Sequence, residues 1–583
     1  LRTIVEKSVT GKAWIENERA NNKEQIANSD NDIVSNVLAS RGITDPEDIR
    51  LFLTPSIKEQ MPDPFVLTDM DRAVAIMADA IMQNKKIAIF GDYDVDGVTS
   101  TAILVKYLRG VGADPMWHLP SRGPEGYGLN TESIEEFAAA GASVLITVDC
   151  GISGAREVAR AKELGMAVII TDHHSPDAAL PAADAVVNPK RADDTSGLTY
   201  LAGVGVAYLF LVALNRALRD RGFFTSDRTE PKIIDYLDMV TLGTVCDTMP
   251  LIGLNRAFVS TGLKVLDRRQ NLGLRTLMSV AGAKSANVYV AGFVIGPRLN
   301  ACGRLDSANP ALELLLTDNA GTAGFLAAQL NDMNKERKDI EQAILIRALE
   351  LAGAAQRAGR RCLFIVGENW HGGVMGIIAG RLKDRFNMPT CVATKSDVLI
   401  NGSGRSTSMV DLGRIIHDAL SAGVLTEGGG HAAAAGFSLD VAKQDEFAAF
   451  LESAVIDQME GTAPRMEIAI DAEIDAGGAN LKMVREMAAL APFGQGNPEP
   501  TLLLNGGELA YATIMGTGHL RGSVRTSNGN LAFVGFNMAS TPVGKFLLDE
   551  ANIGRKIKMC GKLKENEYNG RVSAQFVVED VAI

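Results

Sequence analysis

The stretch IAIFGDYDVDG, Ile87 to Gly97, sets three aspartates at alternate positions directly behind a short apolar run. Its core, Asp92-Tyr93-Asp94-Val95-Asp96-Gly97, opens like a calcium-binding EF-hand loop. Such a loop follows a helix and needs a bidentate glutamate at its twelfth position. Counted from Asp92, that position is Ile103, which cannot ligate. The run before the aspartates, Ile87 to Phe90, is β-branched and aromatic and reads as a buried strand. The residues behind them, GVTSTAILVKYLRGVG, read as a helix that ends at a glycine. The carboxylates therefore fall at the carboxyl end of a strand, the edge on which open α/β sheets build ligand sites. Taken alone, such a turn is equally well explained as an acidic loop in water, so its company decides.

Three more segments carry acids in the same way. VLITVDCGIS sets Asp149 behind an apolar run, AVIITDHHSP sets Asp172, His173 and His174 behind another, and LGTVCDTMPL carries Asp247 ahead of a loop. In a parallel sheet such ends share one edge. Carboxylates gathered there repel one another unless cations hold them. Carboxylates with imidazole suit Mn²⁺ or Mg²⁺, and a histidine ligand favours Mn²⁺. Two ions bridged by one carboxylate would activate water and stabilise the leaving oxygen of a phosphoester.

At 583 residues the chain is too long for one core, and three or four domains are expected. A net charge of −12 argues against a generally DNA-coating protein, though a local basic groove is compatible with it. The six cysteines are scattered without a C-x-x-C pair, which fits a reducing compartment and excludes a cysteine zinc site. The chain begins at Leu1, and no charged-then-apolar leader follows. The longest uncharged stretch, Leu198 to Leu214, falls short of a spanning length and contains Thr, Tyr and Gly, so it reads as a buried helix. A cytoplasmic protein with no membrane association is the expectation.

Residues 1–70 are polar and then helical, with a helix start at Asp45-Pro46. Over 71–307 short apolar runs alternate with helical patterns, the signature of a parallel sheet flanked by helices. Over 308–358 apolar residues recur at helical spacing, including Leu326, Leu330, Met333, Ile340, Ile344 and Leu351, and predict a long connecting helix. A second α/β unit spans 359–460. Over 463–583, short alternating runs and the turns Asn528-Gly529 and Asn569-Gly570 predict a small β-barrel.

The sets DYDVDG, VDCG, TDHH and CDTMPL resemble the four motifs of the DHH phosphoesterase superfamily. SRGPEGYGL (121–129), LAGVGVAY (201–208), PRLNACGRL (297–305), SGRS (403–406) and GGHAAAAGF (429–437) bring the likeness closer, to the RecJ single-stranded-DNA exonucleases. It runs from about Leu38 to the end of the chain. The resemblance implies a DHH domain, a connecting helix, a DHH-associated domain and a C-terminal OB-fold. It implies that Asp94, Asp96, Asp149, His173 and Asp247 ligate two metal ions, with Asp149 as the bridge. Asp92, Asp172 and His174 match supporting positions, and His174 would orient or protonate a phosphate oxygen. Some superfamily members carry a histidine where this chain has Phe90, which leaves one metal with fewer protein ligands.

The second lobe offers phosphate chemistry. Arg405, with Ser403 and Ser406, supplies guanidinium and hydroxyl donors among glycines. Arg122, Arg298 and Arg304 lie in matching motifs as candidate clamps for the 5′ end. WHGGVMGIIAGRL reads as a glycine-rich turn into a helix N-terminus, with His371 and the later His431 facing the cleft. In the barrel, basic residues from Arg521 to Lys564 and the rings of Tyr511, Phe533, Phe536 and Tyr568 are candidates for gripping a strand.

The activity implied is metal-dependent hydrolysis of single-stranded DNA from the 5′ end to 5′-mononucleotides, in DNA repair and recombination. A single-stranded-DNA-binding protein and a helicase are the expected partners of a monomeric enzyme. The alternatives are a DHH phosphodiesterase acting on short RNA oligonucleotides or cyclic dinucleotides, and a non-catalytic single-strand-binding relative.

Overall fold

The computed structural model describes residues 2–17, 33–121, 128–459, 466–526 and 529–583. The chain forms two compact units, one of Leu1–Met61, Pro250–Ser260 and Arg465–Ile583, the other of Pro62–Met249 and Thr261–Pro464.

The larger unit is built on the acid-bearing segments. Its first sheet has five parallel strands in the order Met116–His118, Ile87–Gly91, Val144–Val148, Ala167–Thr171, Ala185–Val187. Helices cover both faces, which is why the three middle strands are apolar runs without alternation. Gly91 pairs with Val148, Val148 with Thr171, and Thr171 with Val187. The next residues, Asp92, Asp149, Asp172 and Asn188, therefore leave the sheet in register on one edge. Residues Leu198 to Leu214 fall largely in the helix Gly203–Asp220, most of it buried. No described helix is long and apolar enough to cross a membrane.

The expected connecting helix is two helices, Asn309–Leu316 and Ala320–Arg357, the second capped by the Asn319 side chain. Its 38 residues span about 57 Å. Midway, the buried face changes from apolar to polar. Arg337 donates to Glu341 Oε2 at 2.8 Å and to Asn334 Oδ1 at 3.1 Å, with all three residues buried. Arg381, on the helix Gly372–Phe386, pairs with the other Glu341 oxygen. Asn331, one turn before Asn334, accepts from Arg298 Nε at 3.1 Å. The second sheet of this unit is mixed, in the order Glu427–His431, Ala434–Asp440, Leu399–Arg405, Thr390–Lys395, Leu363–Glu368.

In the smaller unit, Leu502–Met515, His519–Thr526, Gly529–Gly535, Arg571–Ala582 and Lys556–Tyr568 close into a five-stranded barrel, the last strand pairing back onto the first. Asn569 and Gly570 both have positive φ, 49° and 72°, as a tight hairpin turn requires; Asn528 lies outside the described residues. Phe533 is a correction to the expected stacking set, because its ring is buried in the barrel core with Leu520 and Phe576. Lys564 is held by Glu499 at 2.6 Å.

The N-terminal segment also differs from the helical extension expected over 1–70. Thr3–Val5 and Ala13–Glu16 are strands that pair with each other, and Ala13–Glu16 pairs on its other side with Glu467–Ile470. Trp14 is fully buried there, and its Nε1 donates to Asp580 at 3.2 Å. Helix then follows, and Asp45 caps Pro46–Leu53 by accepting from the N–H groups of Glu47 and Asp48.

Candidate metal centre

The first motif folds as the strand Ile87–Gly91, a three-residue loop and the helix Val95–Gly110. Asp94 caps that helix, its Oδ1 accepting from Asp96 N at 2.8 Å and Gly97 N at 3.2 Å. Gly97 does not make the sharp turn of a calcium loop. It lies inside the helix, where a Cβ would overlap the backbone of Asp92. The glycine thus lets the helix pass close against the acid-bearing loop.

Asp96 is almost fully buried, and both its oxygens are held by the start of the helix Gly203–Asp220, Oδ2 by Gly203 N at 2.7 Å and Oδ1 by Val204 N at 2.9 Å. A Cβ on Gly203 would overlap the Asp149 carboxylate, so only glycine lets this helix end reach between the two acids. Asp149 itself has φ 59°, a left-handed backbone that non-glycine residues adopt at a cost and that clusters at functional sites. Thr248, directly after Asp247, has the same φ.

His173 is the centre of the cluster. Its Nδ1 lies 3.0 Å from the carbonyl of Leu201, which makes Nδ1 the protonated nitrogen. Nε2 then presents a lone pair to Asp149 Oδ1 at 3.2 Å, Asp247 Oδ2 at 3.5 Å and Asp96 Oδ2 at 3.8 Å. Burial foremost pushes the imidazole down to about 3, so it is neutral. The carboxyls move the other way. Burial and then the neighbouring acids raise Asp96 to about 7 and Asp247 to about 8, and hold Asp149 well above the carboxylate range. The buried atoms Asp149 Oδ1 and His173 Nε2 have no hydrogen-bond partner among the described residues. Acceptors facing acceptors in a dry site are repulsive unless a cation lies among them. The donor set fits Mn²⁺ or Mg²⁺ on this ground.

Three overlapping groups have ligand atoms within 4.8 Å of one another: Asp149–His173–His174, Asp96–His173–Asp247, and Asp92–Asp94–Asp149. Asp149 and His173 are each shared by two of them; the two oxygens of Asp149 suit it to bridge two ions, whereas His173 offers Nε2 alone. Asp92, expected as a supporting residue, lies among the ligand-competent atoms. Phe90 is buried and contributes no donor.

Asp172 has a different task. Its oxygens accept from the N–H groups of Ile152, His173 and His174, and Oδ1 lies 2.8 Å from His174 Nδ1. Burial alone would lower the His174 imidazole, but this hydrogen bond and the Asp172 charge overcome it and raise it to about 9. Its side chain is 42% exposed. Asn188, which sequence reading missed, is buried and donates to the His174 carbonyl at 2.9 Å. The strand ending AVVNP was the available signal. Lys190 was missed too; its charge bears on His173, Asp247 and His431.

The second lobe brings Arg405, Ser403 and His431 to the same region. Arg405 Nη1 donates to Ser403 Oγ at 3.2 Å and to the Gly404 carbonyl at 2.7 Å, which fixes the guanidinium at the end of its strand. His431 is held below the ordinary imidazole range by burial and then by the charges of Arg405, Lys190 and His174, which draw on both lobes. Arg304 Nη1 reaches the Gly373 carbonyl at 3.0 Å. His371 caps the helix Gly372–Phe386, Nδ1 accepting from Gly373 N at 3.1 Å. Arg298 is half-buried and donates to Val294 O as well as Asn331. Ser406 is a correction. It is buried, and its one hydroxyl proton goes to the Val410 carbonyl at 2.7 Å, so it fixes the turn and offers a phosphate no donor. Arg122 lies outside the described residues.

Comparison with known proteins follows this geometry. Residues 86–244 match the N-terminal domain of the DHH family, 359–457 the DHHA1 domain, and 470–580 the RecJ OB domain. The acid-lined sheet is thus a DHH domain, the fold of a metal-dependent phosphoesterase. The chain is 34% identical over 563 residues to the single-stranded-DNA-specific exonuclease RecJ of Salmonella typhimurium, covering 94% of this chain and 95% of that one. It is 33% identical to the RecJ of Thermus thermophilus, covering 90% and 73%. The structure of the Thermus thermophilus protein in complex with Mn²⁺ matches with a TM-score of 0.78 at 31% identity, covering 94% of this chain and 75% of that one. The chain belongs to the RecJ family. A second structure of that Thermus protein, in complex with Mg²⁺, matches with a TM-score of 0.72 at 29% identity, covering 94% and 74%.

Proposed function

We propose that this chain hydrolyses single-stranded DNA from its 5′ end, releasing 5′-mononucleotides, in DNA repair and recombination. The observation that carries the metal dependence is the neutral His173 Nε2 set against Asp149, Asp247 and Asp96. Asp94, Asp96, Asp149, His173 and Asp247 would hold two ions, with Asp92 near enough to join them. When bound, Mn²⁺ or Mg²⁺ supplies Lewis acidity and a water of lowered pKa. The chain's own residues do the rest. Asp172 keeps His174 protonated, and the exposed imidazolium donates to a phosphate oxygen. Arg405 and Ser403 take the terminal phosphate, with His371, His431, Arg298, Arg304 and Arg122 along the strand. Match to RecJ proteins over nearly the whole length, the OB domain included, favours this reading over a short-oligonucleotide or cyclic-dinucleotide phosphodiesterase. The intact acid cluster disfavours a purely binding relative.

End-labelled single strands test it. A 5′ label is expected to appear at once as mononucleotide with Mn²⁺ or Mg²⁺, and a 3′ label to persist in shortening strands. Cleavage in excess chelator, or release from the 3′ end first, sinks the reading. The proposal extends to a monomeric cytoplasmic enzyme working with a single-stranded-DNA-binding protein and a helicase; co-purification and sedimentation measure both.

We also propose that the barrel holds DNA. Arg521 and Arg525 point outward on one strand, with Ser523 between them opposite the half-exposed Tyr511. A basic row beside a ring is how OB-folds hold single strands. Substituting both arginines with alanine is expected to flatten the log–log salt dependence of binding by about 1.4, roughly 0.7 per phosphate contact. An unchanged slope would leave the barrel a protein-docking module. Point substitution is the right instrument, because Val37 and Leu38 share the barrel's core and deletion of 463–583 would strip them.

A further inference from the structure

Two large rings stand in water on the segment whose next turn packs against Cys246. Tyr289 and Phe293 are 67% and 69% exposed and stack on each other, centroids 5.5 Å apart and planes at 20°. Both belong to the segment that runs through a π-helical turn, Val290–Ile295, into the helix Gly296–Leu305. Wound-open turns of this kind recur at functional sites. Adjacent exposed rings, unlike single ones, commonly mark a binding surface.

The segment touches both walls of the acid cluster. At one end, Cys246 packs on it: Sγ lies 3.7 Å from the Ala291 carbonyl, and a Cβ on Gly296 would overlap that sulfur. Cys246 is the neighbour of Asp247. At the other end, Asn300 Oδ1 accepts from Val95 N at 3.2 Å, between Asp94 and Asp96. Phe293 is three residues, about 4 Å along the axis, from Gly296. Between the rings and Asn300 lies Arg298, whose guanidinium is held by Val294 and Asn331. A stacking surface, a guanidinium and the Asn300 contact to the acid-bearing loop thus follow one another along a single stretch of chain.

We infer that Tyr289 and Phe293 form a base-stacking platform that orients single-stranded DNA on its way past the metal centre. This rests on the single-strand reading proposed above. The occupant is a nucleobase because the rings sit on a segment that packs against both ends of the acid cluster and carries a guanidinium five residues on. Bases stack on aromatic rings whatever their sequence, so the platform holds every strand equally. It acts by positioning and does not touch the reacting atoms. A duplex keeps its bases stacked inward and has none to offer, so the platform discriminates by strandedness.

The test measures binding by fluorescence anisotropy in chelator, where the strand stays intact. The probe is a 5′-phosphorylated single strand carrying one abasic site, moved one nucleotide at a time from the 5′ end. The full chain is expected to lose affinity at one or two adjacent abasic positions, roughly 5- to 150-fold. The Tyr289→Ala/Phe293→Ala variant is expected to bind the ordinary strand weaker by a similar factor and to lose the positional dip. Tyr289→Phe with Phe293→Trp, which keeps the rings, is expected to retain both. Uniform binding to every abasic strand by the full chain overturns the proposal, as does a dip that survives the double alanine change. The patch would then be a protein-docking surface. Failure of the full chain to bind any single strand is a separate outcome; it refutes the reading beneath and the platform with it.

Discussion

Asp149→Ala abolishes cleavage of single-stranded DNA while the protein stays folded. The carboxylate is the one acid shared between two of the ligand groups, and it lies 3.2 Å from His173. Its loss disorganises both ion positions together, where loss of a peripheral acid disturbs one. Removing a single preorganised group from a charge-stabilising site commonly costs 10²–10³-fold, and a shared ligand is expected to cost at least about 10³-fold. Folding is spared for a physical reason. Burial and the surrounding acids destabilise the ionised Asp149, so deleting it relieves repulsion. In chelator the variant is expected to melt no lower than the parent, apart from about 1 kcal/mol for alanine in a left-handed backbone. Added Mn²⁺ is expected to raise the melting temperature of the parent and to leave the variant unmoved. Turnover near the parent's in Mn²⁺ would remove Asp149 from its bridging role.

Arg405→Ala separates substrates by their 5′ ends. The guanidinium is fixed at a strand end by Ser403 and Gly404, and its charge is felt by His431 together with those of His174 and Lys190. If it receives a terminal phosphate, the variant loses one charge-assisted contact, worth roughly 1.5–3 kcal/mol, or about ten- to a hundredfold. The loss in kcat/KM is expected on 5′-phosphorylated strands and to be much smaller on 5′-hydroxyl ones. Equal losses on both would make Arg405 a contact to internal phosphates.

The acid cluster was readable in the sequence because burial and ligand chemistry leave a compound signal. Apolar β-branched runs such as VLITV read as strands buried on both faces and stop at a carboxylate, whereas LGTVC, ahead of Asp247, is the end of the helix Leu237–Cys246. The likeness of PRLNACGRL to a family motif marked the helix bearing Arg298 and Arg304, though not the rings just before it. Other features left no local trace. Asn188 sits on the same edge as Asp149, but an amide neither titrates nor suggests a metal. Arg337 and Glu341 read as a solvated helix face, since four-residue spacing of opposite charges is common in water; their burial is decided by the lobe packed over them. The pairing of Ala13–Glu16 with Glu467–Ile470 joins chain segments about 450 residues apart, beyond any periodicity argument. Phe533 was misassigned, although strand parity was available: it shares its inward face with Leu531.

The polar stations on the helix Ala320–Arg357 carry a consequence for the cleft. Asn331 holds Arg298 of the first lobe and Glu341 holds Arg381 of the second. Ten residues separate them, about 15 Å of helix. Advancing the helix by one residue would turn each station through about 100° and leave the buried Glu341 facing away from Arg381. Charges buried in this way tolerate few geometries. The gap between the lobes is therefore gauged by a residue count, in discrete steps, and the helix serves as a ruler with two engraved marks. Calibre, on this view, is inherited from the chain's own numbering.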